Sequence, residues 1–294
     1  MSYEFDSKWG VTGRGMREFD IPNGIALDSS GNVFVVETGN HRVQKFLKGS
    51  NAVLVWGVLG SGRNEFNRPA GIAVDSQGFV YVADTDNHRI QKFRNDATFV
   101  KAWGTFGSGD GQFKNPNGVA VDSQGYVYVA DTNNHRIQKF RPDTSFLRAW
   151  GTNGSGNGQF SRPVDLAVDP DGFVYVVDLF NRRIQKFVND GQFITKWGTI
   201  GSGDGQFELP SGIAINSSAN VFVADSANHR IQKFTNDGVF ITKWGSEGSG
   251  DGQFKFPLGL AVESSIVVHN ERVYTCDILN SRIQVFKPKI VIGQ

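Results

Sequence analysis

The sequence predicts an all-β fold, a six-bladed β-propeller, on three observations. Six tryptophans (Trp9, Trp56, Trp103, Trp150, Trp197 and Trp244) recur every 47 residues, and glycine follows each one. Six prolines (Pro22, Pro69, Pro116, Pro163, Pro210, Pro257) and six phenylalanines (Phe19, Phe66, Phe113, Phe160, Phe207, Phe254) keep the same phase. Within each interval, short β-branched and aromatic runs alternate with turn residues, and no helical period is sustained. Four short strands in a unit of ~40–50 residues make a propeller blade, and the lack of helical periodicity excludes helical solenoids.

The second unit shows the elements in order. Gly71–Asp75 reads as a first, small apolar strand, and Ser76-Gln77-Gly78 as a turn in which glycine can take positive φ. Phe79–Asp84 is a β-branched and aromatic second strand, and Thr85–His88 is a polar turn. Arg89–Phe93 is the third strand and Thr98–Trp103 the fourth, after which Gly107–Gly111 carries the chain to the next unit. The chain begins with a fourth-strand sequence, Tyr3–Trp9, and its last full landmark is a third strand, Arg282–Phe286. The N-terminal strand is therefore expected to complete the final blade beside residues 282–286. Residues 1–294 read as a single propeller, with 287–294 a tail that has no counterpart in the repeat and could add an edge strand.

Composition narrows the functional classes. The 294 residues carry a formal net charge of +1, so no global field draws the protein to nucleic acid or anionic lipid. No apolar stretch approaches the ~18 residues of a membrane helix, and the N-terminus lacks a secretory pattern. A soluble, cytoplasmic monomer without membrane contact is the expectation. Cys276, the lone cysteine, sits in a strand-like run and reads as a buried apolar residue.

Most polar motifs recur in every unit and so read as structural. Glu37, Asp84, Asp131, Asp178, Asp225 and Asp277 each stand five residues before an arginine (Arg42, Arg89, Arg136, Arg183, Arg230, Arg282), a spacing that lets carboxylate and guanidinium meet across a tight turn. His41, His88, His135 and His229 occupy one slot of the repeat, one per blade, too far apart to share a metal ion. Asp28, Asp75, Asp122 and Asp169, with Asn216 and Glu263, are placed to hydrogen-bond the turn that follows. The Gly-Ser-Gly loops have no helix behind them and read as connectors, not phosphate cradles. The tryptophans and phenylalanines read as packing residues between blades. No catalytic constellation, metal set or cofactor motif emerges.

In a symmetric ring, function is expected where symmetry breaks. The turn between second and third strands and the Pro-x-Gly linker fall on one face, and the fourth unit departs most there. Its Pro-x-Gly glycine is Asp165, its turn tip is Leu179-Phe180-Asn181, and its histidine is Arg182. The sixth unit carries Ile278-Leu279-Asn280-Ser281 in the same turn. The residues before each proline (Ile21, Arg68, Asn115, Arg162, Leu209, Phe256) and after it (Asn23, Ala70, Asn117, Val164, Ser211, Leu258) are expected to rim the central channel. Asp165, Leu179, Phe180, Arg182, Phe256, Arg162 and Arg68 are the candidate ligand-binding residues, because exposed apolar, aromatic and arginine side chains make binding hot spots. On the opposite face, an insertion around Ser264–Arg272 with His269 reads as a longer hairpin.

The run Asp84–Phe93 (DTDNHRIQKF), preceded by Pro69–Asp75 (PAGIAVD), resembles the NHL repeat, with Arg89 where the family's third name residue is leucine. The resemblance recurs six times over residues 3–286. It implies kinship with free-standing microbial NHL proteins and with NHL domains of tripartite-motif ubiquitin ligases, which bind RNA or protein. It also implies kinship with sensor domains of bacterial kinases and a peptide-amidating lyase. Equal blades favour a non-catalytic binding scaffold whose partner is a protein or peptide. A single-stranded RNA-binding domain, served by Arg68, Arg162 and Arg182, and a metal-dependent lyase or hydrolase are the alternatives.

Overall fold

The computed structural model describes residues 2–263 and 271–289. It contains six four-stranded antiparallel sheets arranged as propeller blades. Blade one runs through Pro22–Leu27, Val33–Glu37, Arg42–Phe46 and Val53–Trp56 from the channel outward. Blade four repeats this with Pro163–Val168, Val174–Asp178, Arg183–Phe187 and Phe193–Trp197. Blade six uses Pro257–Glu263, Arg272–Asp277 and Arg282–Pro288, and Tyr3–Trp9 supplies its outer strand. Tyr3 pairs with Pro288 and Trp9 with Ile283, so the two ends of the described chain close the ring as the sequence predicts. Lys287 and Pro288 extend the third strand of this blade; residues 290–294 of the expected tail lie outside the described residues, as do 264–270, which include His269.

Blade packing explains the strand compositions. Second strands are buried throughout, because a blade interior is covered on both faces by its neighbours. Six apolar clusters fill the six interfaces, one of them joining blades six and one across the closure. Each outer-strand tryptophan packs on the third-strand aromatic of the next blade, as Trp103 does on Phe140 at 5.9 Å between ring centroids. The glycine after each tryptophan is required twice over: Gly104 has φ +103°, and a Cβ there would strike the buried Phe113 ring.

The repeated polar groups fasten the connectors. Asp131 accepts from the Lys114 N–H (2.7 Å), from Arg136 Nε (2.7 Å) and from Gln138 Nε2 (3.0 Å). Arg136 then donates to the Gly109 and Gln112 carbonyls at 2.7 and 2.9 Å, tying the Gly-Ser-Gly connector to the blade. All six blades hold such an acid–arginine pair, at 2.5–2.8 Å. Asp75 accepts from the Gln77 N–H at 2.9 Å and closes the first turn, as its counterparts do in blades one, three, four and five. Glu263 accepts from the Tyr274 hydroxyl (3.1 Å), as Asp75, Asp122 and Asp169 do from Tyr81, Tyr128 and Tyr175, and also bonds Lys48. Among the described residues no helix is long and apolar enough to cross a membrane.

Candidate binding site at the channel mouth

Five of the inner strands begin at the repeat proline and that of blade two at Ile72, and the residue before each proline is held in the left-handed region, from φ +49° at Arg68 to +64° at Phe256. In four blades the turn histidine, itself left-handed, stabilises this corner. His41, His88, His135 and His229 accept through Nδ1 from the N–H groups of Arg68, Asn115, Arg162 and Phe256, at 3.0–3.2 Å. The repeated histidines are thus acceptors for strained backbone. In blade four Arg182 replaces histidine and pairs with Glu208 at 3.2 Å. Leu209, next in line, therefore meets no imidazole.

Inside this collar lies a cavity of 370 Å³ at the channel mouth. All six residues that follow the prolines line it, together with Arg162, Leu209 and Phe256 from before the prolines. Leu179 and Phe180 reach it from the blade-four turn. Its lining is asymmetric: Val164, Leu179, Leu209, Phe256 and Leu258 crowd the side of blades four to six, while Asn23, Ala70 and Asn117 face them.

Asp165 also lines the cavity, two residues down the inner strand of blade four. The other blades carry glycine here because the inner strands nearly touch: a Cβ on Gly71 would run into the Asn117 carbonyl, and one on Gly212 into that of Leu258. The Asp165 carboxyl reaches the next blade instead. Oδ2 accepts from the Ile213 N–H at 3.1 Å, and Oδ1 from the Leu166 N–H at 2.9 Å. Part of its surface stays open to the channel, yet the surrounding blades desolvate it, and its pKa is pushed up to about 7 despite those two bonds.

Five of the seven candidate residues therefore meet in one place: Asp165, Leu179, Phe180, Arg162 and Phe256. Arg162 lies over the Phe180 ring, its guanidinium carbon 5.3 Å from the centroid. Phe180 is 47% exposed, whereas Leu179 packs half-buried on the blade-four/five core. Arg182 belongs to a neighbouring groove with Phe180 and Ile200. Arg68 stands apart, exposed and 3.9 Å from Asp86. Ile21 and Asn115 do not line the cavity either; Asn115 is tied to Asp86 and Asn133 at 2.8 and 3.0 Å.

The turn face also exposes residues that sequence reasoning missed. Leu59, Phe106 and Ile200 are each more than 60% exposed. Each is the third residue after a repeat tryptophan, so comparing that slot across the six units would have revealed them. Leu279, at the blade-six turn tip, adds to this apolar rim. Among the described residues no group of three or more histidine, cysteine, aspartate or glutamate side chains could hold a metal ion. Cys276 is fully buried, and burial raises its thiol pKa.

These features define the class: a six-bladed propeller with an apolar-rimmed cavity at one mouth of its channel. The chain belongs to the NHL-repeat β-propeller family, whose repeat matches residues 19–46, 66–93, 113–140, 160–187 and 207–234. The sixth blade is supplied by the structure. No curated protein matches the sequence. Similar solved structures include virginiamycin B lyase from Staphylococcus aureus (12% identity, 90% of this chain and 80% of that one, TM-score 0.61). A gluconolactonase from Xanthomonas campestris is 15% identical over 92% of this chain and 87% of its own, with TM-score 0.68. A chain of a nidogen/laminin complex is 16% identical over 83% of this chain and 86% of its own, with TM-score 0.65. At these identities the likeness establishes the fold.

Proposed function

We propose that this propeller is a non-catalytic binding platform that captures a protein or peptide on its turn face and at its channel mouth. The observation that carries this reading is the exposed apolar rim. Phe180, Ile200, Leu279, Phe106 and Leu59 stand exposed on the same face as the cavity, two of them propped by neighbours, Phe180 under Arg162 and Phe106 on the His88 ring at 5.0 Å. A structural neighbour from a nidogen/laminin complex adds support, because it belongs to a protein–protein assembly. RNA binding is less well served, since two of the three arginines named for it are paired with acids. An enzymatic reading is less well supported by the site, because Asp165 has no second carboxyl or imidazole beside it in the cavity lining.

Selection of a displayed peptide library on the purified protein tests the reading. Peptides that bind the wild type should lose about tenfold or more in affinity for a Leu179→Ser/Phe180→Ser variant whose melting curve is unchanged. Peptides that bind both proteins equally would place the interface elsewhere. Steeply salt-dependent binding of an RNA pool would favour the nucleic-acid reading, and stoichiometric zinc or calcium in the purified protein would revive the enzyme.

A further inference from the structure

We infer that the channel-mouth cavity is a site for a small apolar carboxylic acid, its hydrocarbon part among Val164, Leu209, Phe256 and Leu258 and its carboxylate on the Arg162 guanidinium. This deepens the binding-platform reading and rests on it. The cavity, at 370 Å³, falls within the range of small-ligand pockets, about 300–1,000 Å³. Its apolar side chains gather on the half that also carries Arg162.

Arg162 itself asks for an acceptor. Two other turn-face arginines each face an acid, Arg68 at 3.9 Å from Asp86 and Arg182 at 3.2 Å from Glu208. Arg162 rests on the Phe180 face, and its Nε is buried with no hydrogen-bond partner. A buried charged donor without an acceptor is unfavourable, and a planar guanidinium matches a carboxylate bidentately. Nε itself has no open surface, so a ligand carboxylate at the cavity rim would dock on the terminal Nη groups of the guanidinium while its tail displaced water from the apolar wall.

The second charged group in the lining selects the sign. Asp165 holds its proton up to about neutral pH because the blades desolvate it. Arg162 is the other ionisable side chain that lines the cavity, so at and below neutrality the interior favours an anion. Ionisation of Asp165 at higher pH sets a negative charge against the ligand. An amine would experience the opposite pair of effects.

Calorimetric titration with phenylbutyrate, indolebutyrate and decanoate, against phenylbutyramide and phenylbutylamine, tests the assignment. At least one carboxylate should bind the wild-type chain, its amide about tenfold more weakly and its amine not at all. Arg162→Gln, with folding checked by its melting curve, should weaken carboxylate binding about tenfold or more. Asp165→Asn should keep binding and lose the weakening seen between about pH 6 and about pH 8. Binding of none of the carboxylates, equal binding of the amine, or an Arg162→Gln variant that binds as well as the wild type would each overturn it. The ligand comparison uses wild-type protein alone, so a variant that fails to fold does not rescue the idea. Peptide capture that survives a negative result here would retain the platform and remove only the carboxylate.

Discussion

Two kinds of acidic residue in this protein differ in their partners, and the difference decides their roles. Asp131 is buried but accepts from a backbone N–H, from Asn134, from Arg136 and from Gln138, so its charge is matched. The same acid–arginine motif recurs in all six blades, which is why it holds connectors and does not mark a unique site, although burial still raises the pKa of Asp178 and Asp225 above the ordinary carboxylate value. Asp165 has two backbone N–H donors and no cation, so desolvation dominates. Its folded pKa, about 7, lies above the unfolded value near 3.8, so the folded state holds a proton that the unfolded state has released over that window. Stability from this group is whole below about pH 4 and is lost as pH rises through 7. Asp165→Asn should therefore flatten the fall in stability as pH rises from about 4 to about 7, by up to roughly 2–4 kcal/mol once the wild-type group is ionised, read as a shallower decline in melting temperature. Parallel pH–melting curves for the two proteins would show that Asp165 titrates normally.

The inner strand is the element that builds the site, and it works under a steric limit. Proline opens it, the preceding residue is forced left-handed, and glycine two positions on lets neighbouring inner strands approach. The obstacle at Gly71 is proximity and not φ, because its added Cβ meets the Asn117 carbonyl of the next blade. Gly71→Ala should destabilise by about 1–3 kcal/mol, measured by urea unfolding. An unchanged midpoint would mean that the inner strands can spread at little cost. Asp165 shows the one tolerated way to carry a side chain at this position, by sending it to Ile213 in the next blade.

Across the whole molecule, stability depends on closing the ring with strands from distant parts of the chain. Tyr3 stacks on Trp244 at 4.4 Å, bonds Glu271, and accepts from Lys233 at 2.8 Å, so one residue joins blades five and six to the N-terminal strand. Desolvation lowers the Lys233 pKa, as expected for an ammonium held inside this clasp. Removing residues 2–9 would expose the third strand of blade six and open the ring. The melting temperature should then drop sharply, by 10 °C or more on the scale of a ~4 kcal/mol loss in a chain of this size. A truncated chain that melts with the wild type would mean the ring does not need this strand.

The sequence by itself determined the blade number, the strand order and the closure by the N-terminal strand. A rigid 47-residue period leaves no other way to bury six equal apolar faces. It also determined where symmetry breaks, because a departure such as Asp165 or Phe180 is visible only against five matching units. Tertiary structure decided which departures meet. Asp165, Arg162, Phe180 and Phe256 share one cavity, while Arg68 pairs with Asp86 outside it and Arg182 turns to a neighbouring groove. Side-chain direction at a left-handed corner, and the degree to which neighbouring blades desolvate the blade-four carboxyl of Asp165, arise from contacts between units distant in sequence. A repeat read along the chain carries no information about those contacts.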